Sequence, residues 1–421
     1  MARFDTLDAW LNWQEQLHPR PIDLGLERVL GVYRRLRPER KKIPTITVAG
    51  TNGKGSCIAY LEAIYRAQGY KVGAYTSPHI LRYNERIRIN GDPVTDELIC
   101  RSFTRIDEVR NNTSLSYFEF GTLAALDIFA DAGLDLQLLE VGMGGRLDAV
   151  NIVDPDAALI TTIAFDHVDW LGNTLDAIGR EKAGIFRAQT PAIIGEEQPP
   201  ASVISAANEK HATLLQLGRD FFYRKHGDRW DWYSSGQQIS NLPEPAFKGE
   251  HQYRNSSAIL MAVMALRPLL AVSEQAIHTG IREAQLKGRF QLIPGTIPVL
   301  LDVGHNPQAI QTLINYLKIT FPAVKTHAVF AMMKDKDIGG VITMMRDYVQ
   351  EWYLAPLKNP RVATEEVLKN YFQQQDINSV NAGFPDFSSA FNAARNNASS
   401  GELILIFGSF FLVSEFLSKF S

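Results

Sequence analysis

Residues 45–69 combine a short β-rich run, a glycine-rich turn and a helical pattern, a combination that few folds accommodate. The run Thr45–Ala49 is typical of a buried strand, and apolar residues at helical spacing follow the glycines until Gly69. Further β-rich runs occur at residues 70–76, 134–141, 157–163 and 191–195. Because strands that alternate with helical patterns indicate parallel pairing, we predict an α/β protein with parallel sheets.

The second half of the chain repeats this alternation after an interruption. Residues 221–250 carry aromatic side chains among polar residues and glycines, which predicts a small antiparallel β region. A helix is predicted from about residue 254 to 270. The alternation then resumes, with strands predicted at residues 299–303, 327–331, 352–355 and 403–407. We therefore predict two domains, residues 1–289 and residues 290–421, which join near the sequence Leu286–Phe290.

Composition excludes several classes of function. The 43 Lys and Arg residues nearly balance the 46 Asp and Glu residues, so charge gives no reason to expect nucleic acid or a membrane surface as a partner. Two cysteines, Cys57 and Cys100, cannot form a disulfide framework, which favours a reducing cytoplasm. The first residues lack the apolar stretch of a signal peptide, and the run Leu403–Val413 is too short to span a bilayer.

Reactive side chains follow four of the predicted strands. The first strand leads into the glycine-rich loop at residues 50–56, the second into Ser77, the third ends in Glu140, and the fourth leads to His167. Ligands of open parallel sheets bind beyond the carboxyl ends of the strands. The sequence therefore predicts one site where a phosphate loop, a hydroxyl, a carboxylate and an imidazole lie at the same edge.

The glycine-rich loop fits a phosphate cradle, because glycines let backbone N–H groups converge on an anion at a helix N-terminus. Lys54 would reach the terminal phosphates, and Ser56 or Ser77 would be a ligand of Mg²⁺. The loop is not a strict Walker A motif, because Gly55 separates Lys54 from Ser56 and Val48 replaces the first glycine. The alternative is a simple glycine-rich turn with a solvated lysine.

The other candidates also have structural alternatives. Glu140 ends an apolar strand, so it needs a partner, either a metal ion or Arg146. A single histidine such as His167 is more often capped or hydrogen-bonded than metal-bound, and only its convergence with Ser77 and Glu140 makes the two alternatives equal. Lys182 would by default be a solvated helix lysine. Asp302 suits a ribose hydroxyl or an amine, Arg289 suits a phosphate, and a salt bridge or a cap explains each equally well.

Taken together, the motifs resemble the bacterial dihydrofolate synthase/folylpolyglutamate synthase family, within the Mur ligase superfamily. They occur in family order and span nearly the whole chain. The carrying segments are Asp23–Arg28, Gly50–Ser56, Ser77–His79, Tyr117–Glu119, Leu139–Asp148, Asp166–His167, Glu181–Ile185, Gly288–Phe290, Asp302 with His305–Pro307, and Asp335–Asp337.

The resemblance implies a P-loop ATP-binding domain that includes a pterin site over residues 1–289, and a Rossmann-like glutamate-ligase domain over residues 290–421. ATP would be bound by Thr51, Asn52, Gly53, Lys54, Asn255, Arg289 and Asp302. The pterin substrate would contact Ile22, Asp23, Leu24, Gly25, Ser116, Tyr117, Phe118, Glu119, Leu147, Asp148 and Ala149. One Mg²⁺ ion would be held by Ser77 and Glu140, and a second with help from His167.

The family resemblance also implies the chemistry. Lys182 matches a lysine that CO₂ converts to a carbamate, and His305 lies in the loop expected near glutamate, so these two and Lys54 are the catalytic candidates. The implied reaction joins L-glutamate to dihydropteroate or to tetrahydrofolates through an acyl phosphate and releases ADP and phosphate. K⁺ is an additional cation that the family could use. The protein would be a cytoplasmic monomer, without nucleic-acid or membrane partners.

Two rival functions remain open at this point. One is a Mur-type ligase that acts on a nucleotide-linked cell-wall precursor, against which the segments Asp23–Arg28 and Tyr117–Glu119 argue. The other is a P-loop ATPase switch, which would hydrolyse ATP without any added amine. A plain binding module is the weakest reading, because it leaves the metal-type residues unexplained.

Overall fold

The computed structural model describes residues 2–20, 22–39 and 42–420. The described residues form two compact units. The first contains the described chain up to Ala164, Leu171–Ala246 and Tyr253–Gln285, and the second contains Phe165–Trp170, Phe247–Gln252 and the chain from Leu286 onward. Over these same ranges, no helix combines the length and the apolar character that crossing a membrane requires.

The first unit is built on a mixed sheet with the strand order β4-β3-β2-β5-β1-β6-β7-β8. Its strands are β1 (Thr45–Ala49), β2 (Val72–Tyr75), β3 (Ile87–Ile89), β4 (Asp92–Pro93), β5 (Leu136–Glu140), β6 (Ala157–Ile160), β7 (Pro191–Ile194) and β8 (Thr213–Gln216). The six strands from β2 to β8 in this order are parallel, and β3 and β4 extend one edge antiparallel. β1 and β5 are buried along their whole length, as a sheet covered on both faces requires.

Helices surround this sheet and supply the rest of its core. Those that begin before residue 285 are α1 (Leu7–Leu17), α2 (Glu27–Leu36), α3 (Lys54–Ala67), α4 (Asp96–Arg110), α5 (Tyr117–Asp131), α7 (Leu175–Lys182), α8 (Ala201–Glu209), α9 (His251–Leu266) and α10 (Glu274–Glu283). The short α6 (Val168–Leu171) belongs to the second unit except for Leu171, and so do the first two residues of α9. α5 is buried on nearly every side, since residues 119–129 are all inaccessible. Its Phe120 packs edge-to-face on Phe103 of α4, with the ring centroids 5.2 Å apart.

A small antiparallel sheet lies beside α9. It consists of β9 (Phe221–His226), β10 (Arg229–Ser234) and β11 (Gln237–Pro243), with β10 in the centre. Trp230 and Trp232 point into the core from β10 and are fully buried. Their indole N–H groups donate to backbone carbonyls of Pro243 and Ser257, at 2.7 and 3.1 Å. Buried indoles need such partners. The Trp232 bond joins the small sheet to α9, whereas the Trp230 bond stays within the sheet and its ring contacts Tyr253 of α9, with the centroids 5.9 Å apart.

The second unit is a six-stranded sheet with the order β12-β13-β17-β14-β15-β16. Its strands are β12 (Gln291–Ile293), β13 (Val299–Asp302), β14 (Thr326–Phe330), β15 (Glu351–Leu354), β16 (Val380–Asn381) and β17 (Leu403–Phe407). Its helices are α11 (Pro307–Thr320), α12 (Ile338–Met345), α13 (Glu365–Gln374), α14 (Phe387–Asn397) and α15 (Phe410–Phe420). Only β12 is antiparallel to its neighbour within the described residues.

These elements confirm the predicted α/β architecture, including both parallel sheets and the antiparallel region within residues 221–250. The predicted strands at 45–49 and 403–407 have the bounds of β1 and β17, and the helix expected over 254–270 is α9, which begins and ends earlier. The edge strands β3 and β4 were not predicted. The domain boundary at 289/290 stays a prediction, and two short upstream segments belong to the second compact unit.

The contact between α3 and α10 depends on the absence of a side chain at Gly280. A Cβ atom built there would lie 2.5 Å from both the backbone nitrogen and the Cα of Ile64. We expect Gly280→Ala to lower the free energy of unfolding by about 1–3 kcal/mol, because the backbone of α3 must shift. Urea denaturation measures the change.

Gly31 is the matched control for this substitution. It is also a helical glycine, but the nearest atom to its built Cβ is the flexible Arg35 guanidinium, at 3.8 Å. Gly31→Ala should stabilise the protein by about 0.5–1 kcal/mol through helix propensity. Equal effects of the two substitutions would contradict the proposed close helix contact.

Candidate active site

The glycine-rich loop joins β1 to α3 in a conformation that only glycine adopts easily. Gly50 has a φ of +149° and Gly53 a φ of +89°, and a Cβ atom at Gly50 would collide with the Thr161 side chain. Lys54 is the first residue of α3, so the loop ends at a helix N-terminus. Backbone N–H groups and the helix dipole therefore favour an anion at this position.

Two threonines at the end of β6 hold this loop. The Thr161 hydroxyl donates to the carbonyl oxygen of Asn52 at 2.6 Å. The Thr162 hydroxyl lies 3.2 Å from the same oxygen and accepts the Asn52 N–H at 3.0 Å. Thr51 is fixed in the same way, since its hydroxyl lies 3.1 Å from the Ala164 carbonyl oxygen. Both threonines lie within the strand predicted over residues 157–163, but no role in holding the loop was predicted for them.

Lys54 and Asn255 complete this part of the site. The Lys54 ammonium donates to the carbonyl oxygens of Gly50 and Thr51, at 2.9 and 3.2 Å, which keeps its charge over the loop. Asn255 of α9 is buried, and its side-chain amide lies 3.1 Å from the position a Cβ of Gly53 would take. The structure thus brings Thr51, Asn52, Gly53, Lys54 and Asn255 into one neighbourhood.

Ser77 and Glu140 meet at the ends of the adjacent strands β2 and β5. The Ser77 N–H donates to Oε2 of Glu140 at 3.1 Å, and Glu140 is only 4% exposed. Among the described residues, no cluster of three His, Cys, Asp or Glu side chains is arranged to hold a metal ion. A hydroxyl and a carboxylate nevertheless fit Mg²⁺, which prefers oxygen and takes its remaining ligands from water and phosphates.

Lys182 is buried, which contradicts the default expectation of a solvated helix lysine. It is the last residue of α7 and is 3% exposed. The charge of Lys182 acts on Glu196. Burial raises the pKa of the Glu196 carboxyl group above its ordinary value, although the N–H of Ile163 and the charges of Arg254 and Lys182 oppose this rise. Arg146, the alternative partner considered for Glu140, forms an ion pair with Glu181 at 2.8 Å.

The residues predicted to contact the pterin include several with structural tasks. Ser116 and Glu119 form the capping box of α5: the Ser116 N–H donates to Glu119 at 2.8 Å, and the Glu119 N–H donates to the Ser116 hydroxyl at 3.3 Å. Tyr117 and Phe118 are half-buried, and the Phe118 ring packs so closely on Gly142 that a Cβ there would overlap it.

The other predicted pterin residues lie in two irregular segments of the first unit. Burial raises the pKa of Asp148 to about 7, although the N–H groups of Met143 and Val150 donate to its carboxyl group. Leu147 is half-buried and Ala149 is buried. Ile22, Asp23, Leu24 and Gly25 are half-buried and have no regular secondary structure.

Arg289, Asp302 and His305 lie in the second unit. Asp302 ends β13, and its carboxylate accepts the N–H groups of Gly304 and Phe290 at 2.8 and 3.3 Å. Burial raises the pKa of Asp302, against the opposing charge of Arg289. The Arg289 guanidinium lies over the Phe410 ring, 5.0 Å from its centroid.

Asp166 organises a polar cluster in the second unit that we had not predicted. Lys336 donates to its carboxylate at 2.6 Å and Asn306 at 3.2 Å, while His305 Nε2 lies 3.6 Å away. Burial would raise the pKa of Asp166, but His305 and the charge of Lys336 hold it far below its ordinary value. His167, with a φ of +51°, lies 3.4 Å from the Lys336 ammonium. The sequence motifs Asp166–His167 and Asp335–Asp337 contain Asp166 and Lys336 and could have indicated this cluster.

Comparison with known proteins identifies the class. The family model of the Mur ligase middle domain matches residues 48–263, and that of the Mur ligase glutamate ligase domain matches residues 288–410. These matches and the sheet architecture define a Mur ligase.

Individual relatives identify the family within this class. A dihydrofolate synthase/folylpolyglutamate synthase of Escherichia coli K12 is 42% identical over 97% of this chain and 94% of its own length. Its counterpart of the same name in Haemophilus influenzae is 38% identical over 97% and 96%. The chain therefore belongs to the dihydrofolate synthase/folylpolyglutamate synthase family.

Solved structures agree with this assignment. E. coli FolC in complex with DHPP and ADP superposes with a TM-score of 0.93 at 42% identity, covering 98% of this chain and 97% of that one. A bifunctional folylpolyglutamate synthase/dihydrofolate synthase with Mn, AMPPNP and L-glutamate bound gives 0.91 at 40% identity, covering 98% of both chains.

The hydrogen bonds of Thr162 predict an effect on the order of the loop. Thr162→Val keeps the volume but removes the group that accepts the Asn52 N–H, so the free energy of unfolding should fall by about 1–3 kcal/mol. Hydrogen exchange of the Asn52 amide should accelerate with it.

Thr47→Val is the control, because Thr47 is equally buried in β1 but its hydroxyl forms no hydrogen bond within the described residues. This substitution should be neutral or slightly stabilising. If both variants left Asn52 exchange unchanged, Thr162 would not hold the loop.

Proposed function

We propose that this protein is an ATP-dependent ligase that adds L-glutamate to 7,8-dihydropteroate, forming dihydrofolate, and to tetrahydrofolates, forming folylpolyglutamates. The observation that carries the proposal is that identity to the E. coli dihydrofolate synthase/folylpolyglutamate synthase extends over nearly the whole chain, through both matched ligase domains. The reaction releases ADP and phosphate and belongs to folate biosynthesis.

The chemistry requires activation of a carboxylate, which is a poor electrophile. The γ-phosphoryl group of ATP passes to the substrate carboxylate, and the α-amine of glutamate then attacks the acyl phosphate and displaces phosphate. Water at ~55 M competes, but a well-oriented amine reaches an effective molarity of about 10⁵–10⁸ M. Orientation and exclusion of water are therefore the main tasks of the protein.

Thr51, Asn52, Gly53, Lys54 and Asn255 are assigned to ATP. Supporting this, the loop N–H groups and the start of α3 favour an anion, and the Lys54 ammonium lies over the same loop. A lysine there neutralises charge that develops on the transferred phosphoryl group. Arg289 and Asp302 keep the ATP-contacting roles that the family resemblance implies.

A divalent metal belongs to the proposed cofactors, together with ATP. We assign one Mg²⁺ ion to Ser77 and Glu140, because the hydrogen bond from the Ser77 N–H to the Glu140 carboxylate brings these two residues together at the strand ends. When bound, such an ion neutralises phosphate charge and aligns the phosphoryl group. We further propose a second Mg²⁺ ion, bound with help from His167, and an additional K⁺ ion.

The remaining assignments concern the substrates. Ile22–Gly25, Ser116–Glu119 and Leu147–Ala149 are proposed to contact the pterin, supported by the half-buried rings of Tyr117 and Phe118, which suit a flat heterocycle. His305 is proposed to act near the incoming glutamate. We further propose that the protein is a cytoplasmic monomer, with ATP binding in residues 1–289 and glutamate ligation involving residues 290–421.

The test measures phosphate release with dihydropteroate or tetrahydrofolate, each with and without glutamate. A bifunctional ligase requires both the pteroyl acid and glutamate, and it accepts both acids. A nucleotide-linked cell-wall precursor in the same assay should give no release. Phosphate release from ATP alone at the same rate would instead indicate an ATPase and contradict the proposal.

Lys54→Ala should lower kcat at least ~10²-fold, because it removes the positive charge over the phosphate loop. Its thermal stability should change little, since Lys54 is not a core residue. Lys71→Ala, which removes an exposed lysine from the same unit, is the control and should keep normal turnover. Near-normal kcat in Lys54→Ala would contradict the assignment of the loop to ATP.

The proposed carbamate on Lys182 predicts an ordered series of variants. Lys182→Ala should lose activity, whereas Lys182→Glu should retain part of it, because a carboxylate replaces the carbamate anion at the end of α7. Lys182→Gln, similar in size but uncharged, should behave like Lys182→Ala. Steady-state phosphate release orders the three variants, and full activity in all of them would exclude a carbamate role.

A further inference from the structure

The segment Ile22–Gly25 is held in place by side chains. It lies between α1 and α2 without regular secondary structure, so no helix or sheet hydrogen bonds fix it. Its Asp23 carboxylate is contacted from two sides, with Nε2 of His18 at 3.0 Å and Nη1 of Arg28 at 2.7 Å, both on Oδ2. His18 is itself anchored, because its Nδ1 lies 2.9 Å from the Ser114 hydroxyl.

Arg28 joins this segment to the start of α5. Its Nη2 donates to the backbone carbonyl oxygen of Asp23 at 2.8 Å and to Oε1 of Glu119 at 3.1 Å. One guanidinium group therefore forms hydrogen bonds with the side chain and the backbone of Asp23 and with the first turn of α5. The planar fork of arginine suits this geometry, and its bonds to carboxylates are charge-assisted.

Glu119 transmits this contact to the second predicted pterin segment. Its other oxygen, Oε2, accepts the Ser116 N–H in the capping box, and its side chain is only 4% exposed. The carboxylate thus joins Arg28 to the backbone that carries Tyr117 and Phe118. Ile22–Gly25 and Ser116–Glu119 are far apart in sequence, and Arg28 bridges them directly.

We infer that Arg28 is a positioning residue for the pterin substrate: it fixes Ile22–Gly25 against the start of α5, so that both segments present one preformed surface. The inference rests on the proposed function, which supplies the substrate. Because Arg28 acts through Asp23 and Glu119, its loss should weaken the use of dihydropteroate and leave the use of ATP nearly unchanged. Preformed surfaces bind more tightly because less ordering accompanies binding.

Arg37 provides the matched control, because its guanidinium group also forms hydrogen bonds with both the side chain and the backbone oxygen of one aspartate. It follows α2, its Nε donates to Oδ1 of Asp127 at 2.8 Å, and its Nη2 donates to the Asp127 backbone oxygen at 2.7 Å. It also pairs with Asp131. The Arg37 side chain is 21% exposed and that of Arg28 is 28% exposed. Arg37 thus joins the end of α2 to the last turns of α5, and its hydrogen bonds involve neither Ile22–Gly25 nor Ser116–Glu119.

The experiment compares wild-type protein with R28Q, R28K and R37Q. Phosphate release gives KM for dihydropteroate and for ATP, and thermal unfolding gives stability. In R28Q we expect KM for dihydropteroate to rise at least ~10-fold, the scale of charged hydrogen bonds, with KM for ATP within about twofold. R28K keeps the charge but not the fork, so its KM for dihydropteroate should lie between those of R28Q and the wild type.

The control separates positioning from general stability. R37Q should lose thermal stability comparably to R28Q but keep its KM for dihydropteroate within about twofold. Equal KM values for dihydropteroate in R28Q and R37Q would overturn the inference. If R28Q does not fold, R28K carries the comparison, and an unchanged KM in it overturns the inference as well. Wild-type protein that releases no phosphate with dihydropteroate and glutamate would overturn the proposed function itself.

Discussion

The parallel pairing of β2, β5, β1 and β6 is the constraint from which the candidate site in the first unit follows. Register places Val48 beside Glu140, Tyr75 beside Leu139 and Ala49 beside Ile160, so these four strands finish at nearly the same level. The segments that follow the strands must then emerge side by side. The glycine-rich loop, Ser77 and Glu140 become neighbours for this reason, although almost a hundred residues separate them in sequence.

Side chains also fix irregular segments of the chain in both units. Thr161 and Thr162 hold the backbone of Asn52, Arg28 holds that of Asp23, and Asp166 is held by Lys336 and Asn306. Each such bond contributes only about 0.5–1.5 kcal/mol net, or about 1.5–3 kcal/mol where a charge takes part. Leaving a buried partner unsatisfied costs as much or more, so removing one group affects both the position of a loop and the stability of the fold.

The sequence predicted the parts that depend on local pattern. Thr45–Ala49 is a continuous β-rich run followed by glycines, and Glu140 ends an apolar strand, so β1, the glycine-rich turn and β5 were all predictable. The contacts Asp166–Lys336 and Arg28–Glu119 were not, because they join residues 170 and 91 positions apart and leave no periodic signal. The burial of Lys182 was missed for a similar reason, since it depends on packing around the end of α7 rather than on the polar sequence near it.

The central claim is that this site transfers a phosphoryl group to a carboxylate before the amide bond forms. The most direct measurement uses dihydropteroate with ¹⁸O at both carboxylate oxygens, together with ATP and glutamate, followed by mass analysis of the released phosphate. An acyl phosphate predicts one ¹⁸O atom in each phosphate molecule, because the amine displaces the phosphate together with the carboxylate oxygen it took. Amide formation with unlabelled phosphate would contradict the mechanism.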